Sequence, residues 1–138
     1  MPLTLTDIRT HLATRLSDPS NLIYSLNLLD ESIRSALADI SRVSGAALTL
    51  TDLDGALETT LPPEDEHALI TGAVAYALIY HASGRFDDAV PDQDLPIEIS
   101  ERAEKQMSHF LSLLSGIKKR IHQTSEDIPY SQWDWDES

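Results

Sequence analysis

The sequence contains no cysteine among its 138 residues. Disulfide bonds, thiolate metal sites and a cysteine nucleophile are therefore excluded, and the composition fits a reducing compartment. Basic residues are scarce, with ten Lys and Arg against 23 Asp and Glu, so that the net charge is −13. Such a surface repels phosphate backbones, which disfavours nucleic-acid binding through charge neutralisation.

Long apolar runs are also missing. The most apolar stretch covers residues 68–80, whereas a helix needs ~20 apolar residues to span a bilayer. Residues 1–16 alternate polar and apolar side chains, so we expect no signal peptide and no association with a membrane. The sequence has no glycine-rich phosphate loop, no nucleophile elbow and no recognisable nucleophile motif around its histidines. We therefore expect a protein that is not an enzyme and that uses no cofactor.

Four stretches repeat apolar residues every three or four positions, which is the period of an amphipathic α-helix. The predicted helices cover about 7–17, 25–44, 62–83 and 96–123. Thr6 is the predicted N-cap of the first helix, and Gly45 ends the second. Within the second helix, Asp30 and Arg34 have the spacing of an ion pair.

The third predicted helix is apolar on nearly all faces, which indicates a central helix surrounded by the others. We expect it to bury Ala73, Val74, Ala77 and Leu78. Before it, Leu48 and Leu50 alternate with threonines, and Asp-Gly at 54–55 separates them from a second alternating run. This pattern predicts a short β-hairpin. An irregular loop pinned by leucines is the equal alternative.

The last segment loses the helical pattern. Residues 124–138 carry five acids and no base, yet they hold both tryptophans of the chain. Large aromatic side chains dominate interface energetics when they are buried, so we predict an extended arm that binds another protein. Its predicted contact residues are Ile128, Pro129, Tyr130, Trp133 and Trp135. The alternative is an arm that folds back on its own domain. The predicted fold is therefore mostly α: a four-helix bundle-like domain over 1–123, with a hairpin or loop insert between helices 2 and 3, followed by the arm over 124–138.

Several weaker signals have ordinary explanations. Asp52-x-Asp54-Gly55 resembles a calcium loop, but its glycine comes too early, so a turn explains it better. Glu64-x-x-His67 has the spacing of a di-metal carboxylate helix, but the other ligands of such a site are missing. His81 is expected to be a hydrogen-bonded histidine of the core or its rim. Lys118–Arg120 is expected to be a solvated helix end that matches the helix dipole.

The layout as a whole resembles the head-to-tail adaptor (connector) proteins of tailed bacteriophages. Two helices are followed by an insert ending in Leu61-Pro62-Pro63-Glu64, by the helix HALITGAVAYALIYHASGR, by a long helix and by an arm. The resemblance implies a homo-oligomeric ring of about twelve subunits, closed by repeated heterologous contacts. It also implies contacts with the portal protein and with a downstream stopper or tail protein, in the neck of the virion after assembly in the host cytoplasm. DNA would pass through the lumen without specific binding, and no catalytic residues are implied.

Two other functions compete with this one. An acidic helical binding module would inhibit a host factor or mimic DNA, and its surface charge would serve that role equally well. A small helical enzyme or metal protein ranks last.

Overall fold

The computed structural model of the chain describes residues 4–18, 23–83 and 97–124. The first helix, α1, covers Leu5–Arg15 and begins earlier than predicted. Its N-cap is Thr4, whose hydroxyl accepts from the Asp7 backbone amide while the Asp7 carboxylate accepts from the Thr4 amide. The prediction of Thr6 as the cap was wrong, because Asp7 completes a reciprocal capping box only with the residue three positions before it.

The second helix, α2, covers Leu26–Ser44 and matches its predicted bounds. Ser25 caps its start by accepting a hydrogen bond from the Leu28 amide, and Gly45 ends it with φ +76°. A left-handed backbone at this position favours glycine, because other side chains are strained there. The inner stripe of α2 is buried and consists of Leu29, Ile33, Leu37 and Ile40.

Residues 46–61, here called the insert, form an irregular loop, and no β-strand occurs within the described ranges. The prediction of a hairpin was wrong, although Asp54 and Gly55 adopt the positive φ angles of a tight turn. Thr60 and Thr59 explain the difference: their hydroxyl oxygens accept from the backbone amides of Thr49 and Thr51. Side chains thus occupy amide donors that a strand ladder needs.

The third helix, α3, covers Glu66–Ser83 after a 3-10 turn at Pro63–Asp65, and the fourth, α4, covers Ile97–Thr124. Helix α3 packs against both α2 and α4. The predicted central position of α3 is confirmed: Ala73, Val74, Ala77 and Leu78 are each at most 1% exposed. Tyr76 bonds Asp39, and Tyr80, further along α3, lies beside the earlier residue Ser35, so α3 runs antiparallel to α2. Asp65 bonds Arg120, and Gly72 contacts the earlier residue Phe110, so α3 also runs antiparallel to α4. Consequently α2 and α4 run parallel to each other.

Helices α3 and α4 approach each other closely at Gly72. A Cβ atom at this position would lie 2.6 Å from the ring of Phe110, which is completely buried. The absence of a side chain at Gly72 therefore lets the aromatic ring seat directly on the α3 backbone. The mostly helical, bundle-like fold is confirmed, and none of the helices in the described ranges is long and apolar enough to cross a membrane.

Candidate interaction surfaces

The predicted partner-binding arm lies outside the described residues. This holds for each of its five predicted contact residues, Ile128, Pro129, Tyr130, Trp133 and Trp135. Their roles stay predictions, as does the domain boundary near residue 124. Two other surfaces, the insert and one face of α4, lie within the described residues and carry exposed apolar side chains.

The insert combines a buried side with a solvent-facing tip. Leu50, Leu53 and Leu61 join the hydrophobic core, whereas Leu57 is 93% exposed. Glu58, the next residue, is also exposed. Monomeric proteins often expose single apolar residues, but Leu57 is the most exposed of the large hydrophobic residues that the structure describes. The insert therefore presents an apolar tip with an acid beside it.

The second surface is the outer face of α4, which we define by Leu111, Ser115, Lys118, Lys119 and His122. Leu111 is 56% exposed, and the other four residues line a shallow depression together with Gln123. Leu111, Ser115, Lys118 and His122 follow one another at intervals of four, three and four residues, so they share one side of the helix. The core residues Phe110, Leu114 and Ile117 occupy another side.

The three basic residues at the end of α4 lie in two different environments. Arg120 donates two hydrogen bonds of 2.9 Å to the carboxylate of Asp65, whose side chain is only 3% exposed. These bonds raise the pKa of Arg120 above its ordinary value and join the end of α4 to the start of α3. Lys118 and Lys119 are exposed. The predicted solvated helix end therefore holds for the two lysines and is wrong for Arg120, because a buried carboxylate requires a charged partner.

The acidic and basic residues of α2 also find partners outside their own helix. Arg9 of α1 donates two hydrogen bonds to Asp30, and Arg34 bonds Asp54 of the insert and Glu31. The predicted pair of Asp30 with Arg34 was therefore wrong. Hydrogen bonding to Asp30 and to Asp54 raises the pKa of Arg9 and of Arg34, respectively. Arg9 bonds the two oxygens of Asp30 from two nitrogens, a bidentate geometry that is favoured over a flexible pair on one helix surface. Arg34 donates to both oxygens of Asp54 from Nε alone.

Helices α2 and α3 share a polar seam along one edge. The Tyr76 hydroxyl donates a 2.5 Å hydrogen bond to Asp39, which also accepts from Arg42. One turn further, the hydroxyls of Ser35 and Tyr80 lie 2.7 Å apart. Burial, followed by the hydrogen bond to Asp39, raises the pKa of Tyr76 well above its ordinary value. The seam fixes how the two helices are aligned.

Two of the histidines contact each other, and two others have separate partners. The rings of His67 and His109 contact each other at 5.7 Å, and His11 lies 2.8 Å from Glu66. His81 is half-buried and packs against the ring of Tyr24 at 5.0 Å, in agreement with a position at the rim of the core. Among the described residues, no group of three or more His, Asp or Glu side chains is arranged to hold a metal ion.

Sequence reasoning missed Leu57 and Leu111 as surface residues. The alternating pattern grouped Leu57 with Leu61, but Leu61 is buried and Leu57 is exposed. For Leu111 a usable signal existed, because the core spacing of Phe110 and Leu114 leaves the position after Phe110 on another side of the helix.

Comparisons with known proteins give this chain no relative: no family model, no curated protein and no solved structure matches it.

Proposed function

We propose that this chain is a structural head-to-tail adaptor subunit of a tailed bacteriophage. In this proposal, copies of the chain form a ring beneath the portal protein and link it to the next neck or tail component. The observation that supports it best is the order of the elements. Two helices, a loop insert, a central apolar helix and a long last helix are the layout on which the resemblance rests.

The charges of the chain suit a channel for DNA. A net charge of −13 makes a lumen that repels the phosphate backbone, so that DNA slides through without being held. Strong phosphate binding in such a channel would slow the passage of the genome. The ring itself needs two different surfaces on each subunit, since heterologous contacts close into a ring by rotation.

The arm supplies the contact with the portal in this proposal. An extended segment binds a partner by adding to a sheet edge or lying in a groove, and its side-chain anchors provide specificity. Trp133 and Trp135 are two residues apart, which places both on one face of an extended chain. Tryptophan is also among the residue types most enriched at binding hot spots.

The test is co-expression with the portal protein encoded by the same genome, followed by electron microscopy and native mass spectrometry of the purified complex. We expect a ring of this chain on one end of the portal. A chain ending at Thr124 is expected to keep its helical circular dichroism and its melting transition but to lose the portal. Trp133→Ala combined with Trp135→Ala should cause most of the same loss. A chain that stays monomeric and never sediments with the portal would rule out the adaptor.

The binding-module alternative is favoured by one feature, the long acidic stretch between Arg42 and Arg85, which contains no Lys or Arg. A DNA mimic, however, needs free carboxylates in place of phosphates. In the described part of the chain, Asp30, Asp39, Asp54 and Asp65 are instead bonded to arginines. Failure to compete with duplex DNA for DNA-binding proteins would separate the adaptor from the mimic.

A further inference from the structure

Hydrogen bonds within the insert and to helices α1 and α2 hold the insert in place, and Leu57 lies away from the core. The amide of Leu5 donates to the carbonyl of Thr51, which ties the insert to the start of α1. Arg34 of α2 bonds the Asp54 carboxylate at 2.8 and 3.0 Å, which ties down the turn before Leu57. Within the insert, the hydroxyls of Thr51 and Thr59 lie 2.8 Å apart.

These hydrogen bonds lower the free-energy cost of binding a partner. Association normally costs free energy for ordering the loops and side chains at the contact. A tip fixed on both sides has lost most of that freedom before it meets a partner. Leu57 is 93% exposed, although a leucine loses favourable burial free energy by staying in water. A preorganised, exposed apolar tip is the kind of feature that a partner surface covers.

The outer face of α4 has complementary properties. It offers Leu111 as an apolar contact, with Lys118 two helical turns further on. Between Lys105 and Thr124 the sequence contains no acidic residue, whereas between Arg42 and Arg85 it contains no Lys or Arg. The insert and this part of α4 therefore carry opposite charges within one molecule. Opposite charges on two surfaces of the same chain favour contacts between copies.

We propose that the tip of the insert docks on the outer face of α4 of a neighbouring copy, so that this contact repeats around the ring. Leu57 packs against Leu111 of the neighbour, and Glu58 lies beside Lys118 and Lys119 of the neighbour. The inference rests on the proposed ring and names the two surfaces that close it. The partner is a second copy of this chain.

Disulfide cross-linking between two introduced cysteines tests the contact. The chain has no cysteine of its own, so it forms no other disulfides with itself. Full-length Leu57→Cys protein is mixed with a tagged Leu111→Cys protein, assembled on the portal and oxidised. Disulfides form only when the two Cα atoms are within about 4–7 Å. We expect mixed disulfide dimers in at least about tenfold excess over a control in which Ala38→Cys, an exposed position on α2, replaces Leu111→Cys.

Other products identify other occupants of the same face. Leu111→Cys homodimers would show that two α4 helices pair around a two-fold axis, which contradicts the proposal. Preferential pairing of Leu111→Cys with Trp133→Cys would show that the arm covers this face, and would also overturn it. If the wild-type chain forms a ring on the portal but the mixed dimers stay at the level of the control, this contact is wrong and the adaptor function stands. If no ring forms at all, both proposals fail.

Charge reversal gives a second, independent readout. Glu58→Lys should weaken ring assembly about tenfold, since it removes an attraction at the rim of the interface and adds a repulsion, each contributing at most about fivefold. Combining it with Lys118→Glu and Lys119→Glu should restore assembly. A triple variant that assembles no better than Glu58→Lys alone would place Glu58 elsewhere in the ring and overturn the proposed charge pairing.

Discussion

The substitution Gly72→Ala has two opposing effects on stability, one through helix propensity and one through the contact with Phe110. Glycine inside a helix destabilises it by about 1 kcal/mol relative to alanine, so Gly72→Ala should stabilise α3 if only local propensity mattered. The Cβ atom would, however, lie 2.6–2.8 Å from three atoms of the Phe110 ring. Ordinary carbon contacts are about 3.5 Å or longer, so the ring or the helix must retreat by roughly 1 Å.

This displacement costs free energy, because Phe110 is completely buried and its ring packs edge-on with the ring of Tyr76. Overpacking of a filled core costs about 1–3 kcal/mol, and a rigid ring belongs at the upper end of that range. After subtraction of the gain in helix propensity, we expect Gly72→Ala to lower the free energy of unfolding by about 1–2 kcal/mol. For a chain of this size, each kcal/mol corresponds to about 4 °C in Tm.

Gly116 of α4 is the matched control, because no atom lies within 4 Å of a Cβ built there. Gly116→Ala should raise the free energy of unfolding by about 0.5–1 kcal/mol through propensity alone. Guanidinium titrations followed by circular dichroism measure both variants. In a Phe110→Leu background, which removes the two nearest ring atoms, the penalty at Gly72 should largely vanish. Equal stabilisation by the two alanines would refute the close packing of α3 on α4.

Three further predictions test the ion pair, the polar seam and the surface charge. Arg120→Met should lower the free energy of unfolding by about 2–3 kcal/mol in a denaturant titration, because it leaves the buried Asp65 carboxylate unpaired; Lys119→Met, at an exposed position, should change it by less than about 0.5 kcal/mol. Because the folded state raises the pKa of Tyr76, stability should be complete below pH ~10 and fall as the pH rises above it. Absorbance at about 295 nm should show one tyrosine ionising late, a fraction that Tyr76→Phe removes. A wild type without this late fraction would contradict the burial of Tyr76 and its bond to Asp39. Fluorescence anisotropy should detect no duplex DNA binding at physiological salt, and micromolar affinity that weakens steeply with salt would contradict the charge argument.

The helices and their burial could be read from the sequence because the information is local. The period of the apolar residues in α2 and α3 determines which side faces the core, and Gly45 ends α2 for a reason contained in one residue. Even the central position of α3 follows from its composition, since a helix that is apolar on all sides must be surrounded. The candidate arm residues, such as Trp133, were likewise chosen on local grounds, and they lie outside the described residues.

Where two local arrangements had similar free energies, the tertiary structure determined which one formed. Arg34 had Asp30 one turn away on its own helix, but Asp30 bonds Arg9 and the Arg34 Nε bonds Asp54 of the insert. The threonines around the turn satisfied backbone amides with their hydroxyls, so the expected hairpin did not form. The direction of Leu57 was likewise not readable from the alternating pattern, which grouped it with the buried Leu61. Each outcome depends on residues far apart in sequence, whose contacts exist only once the chain has folded, and differences of about 1 kcal/mol between partners are enough to choose among them.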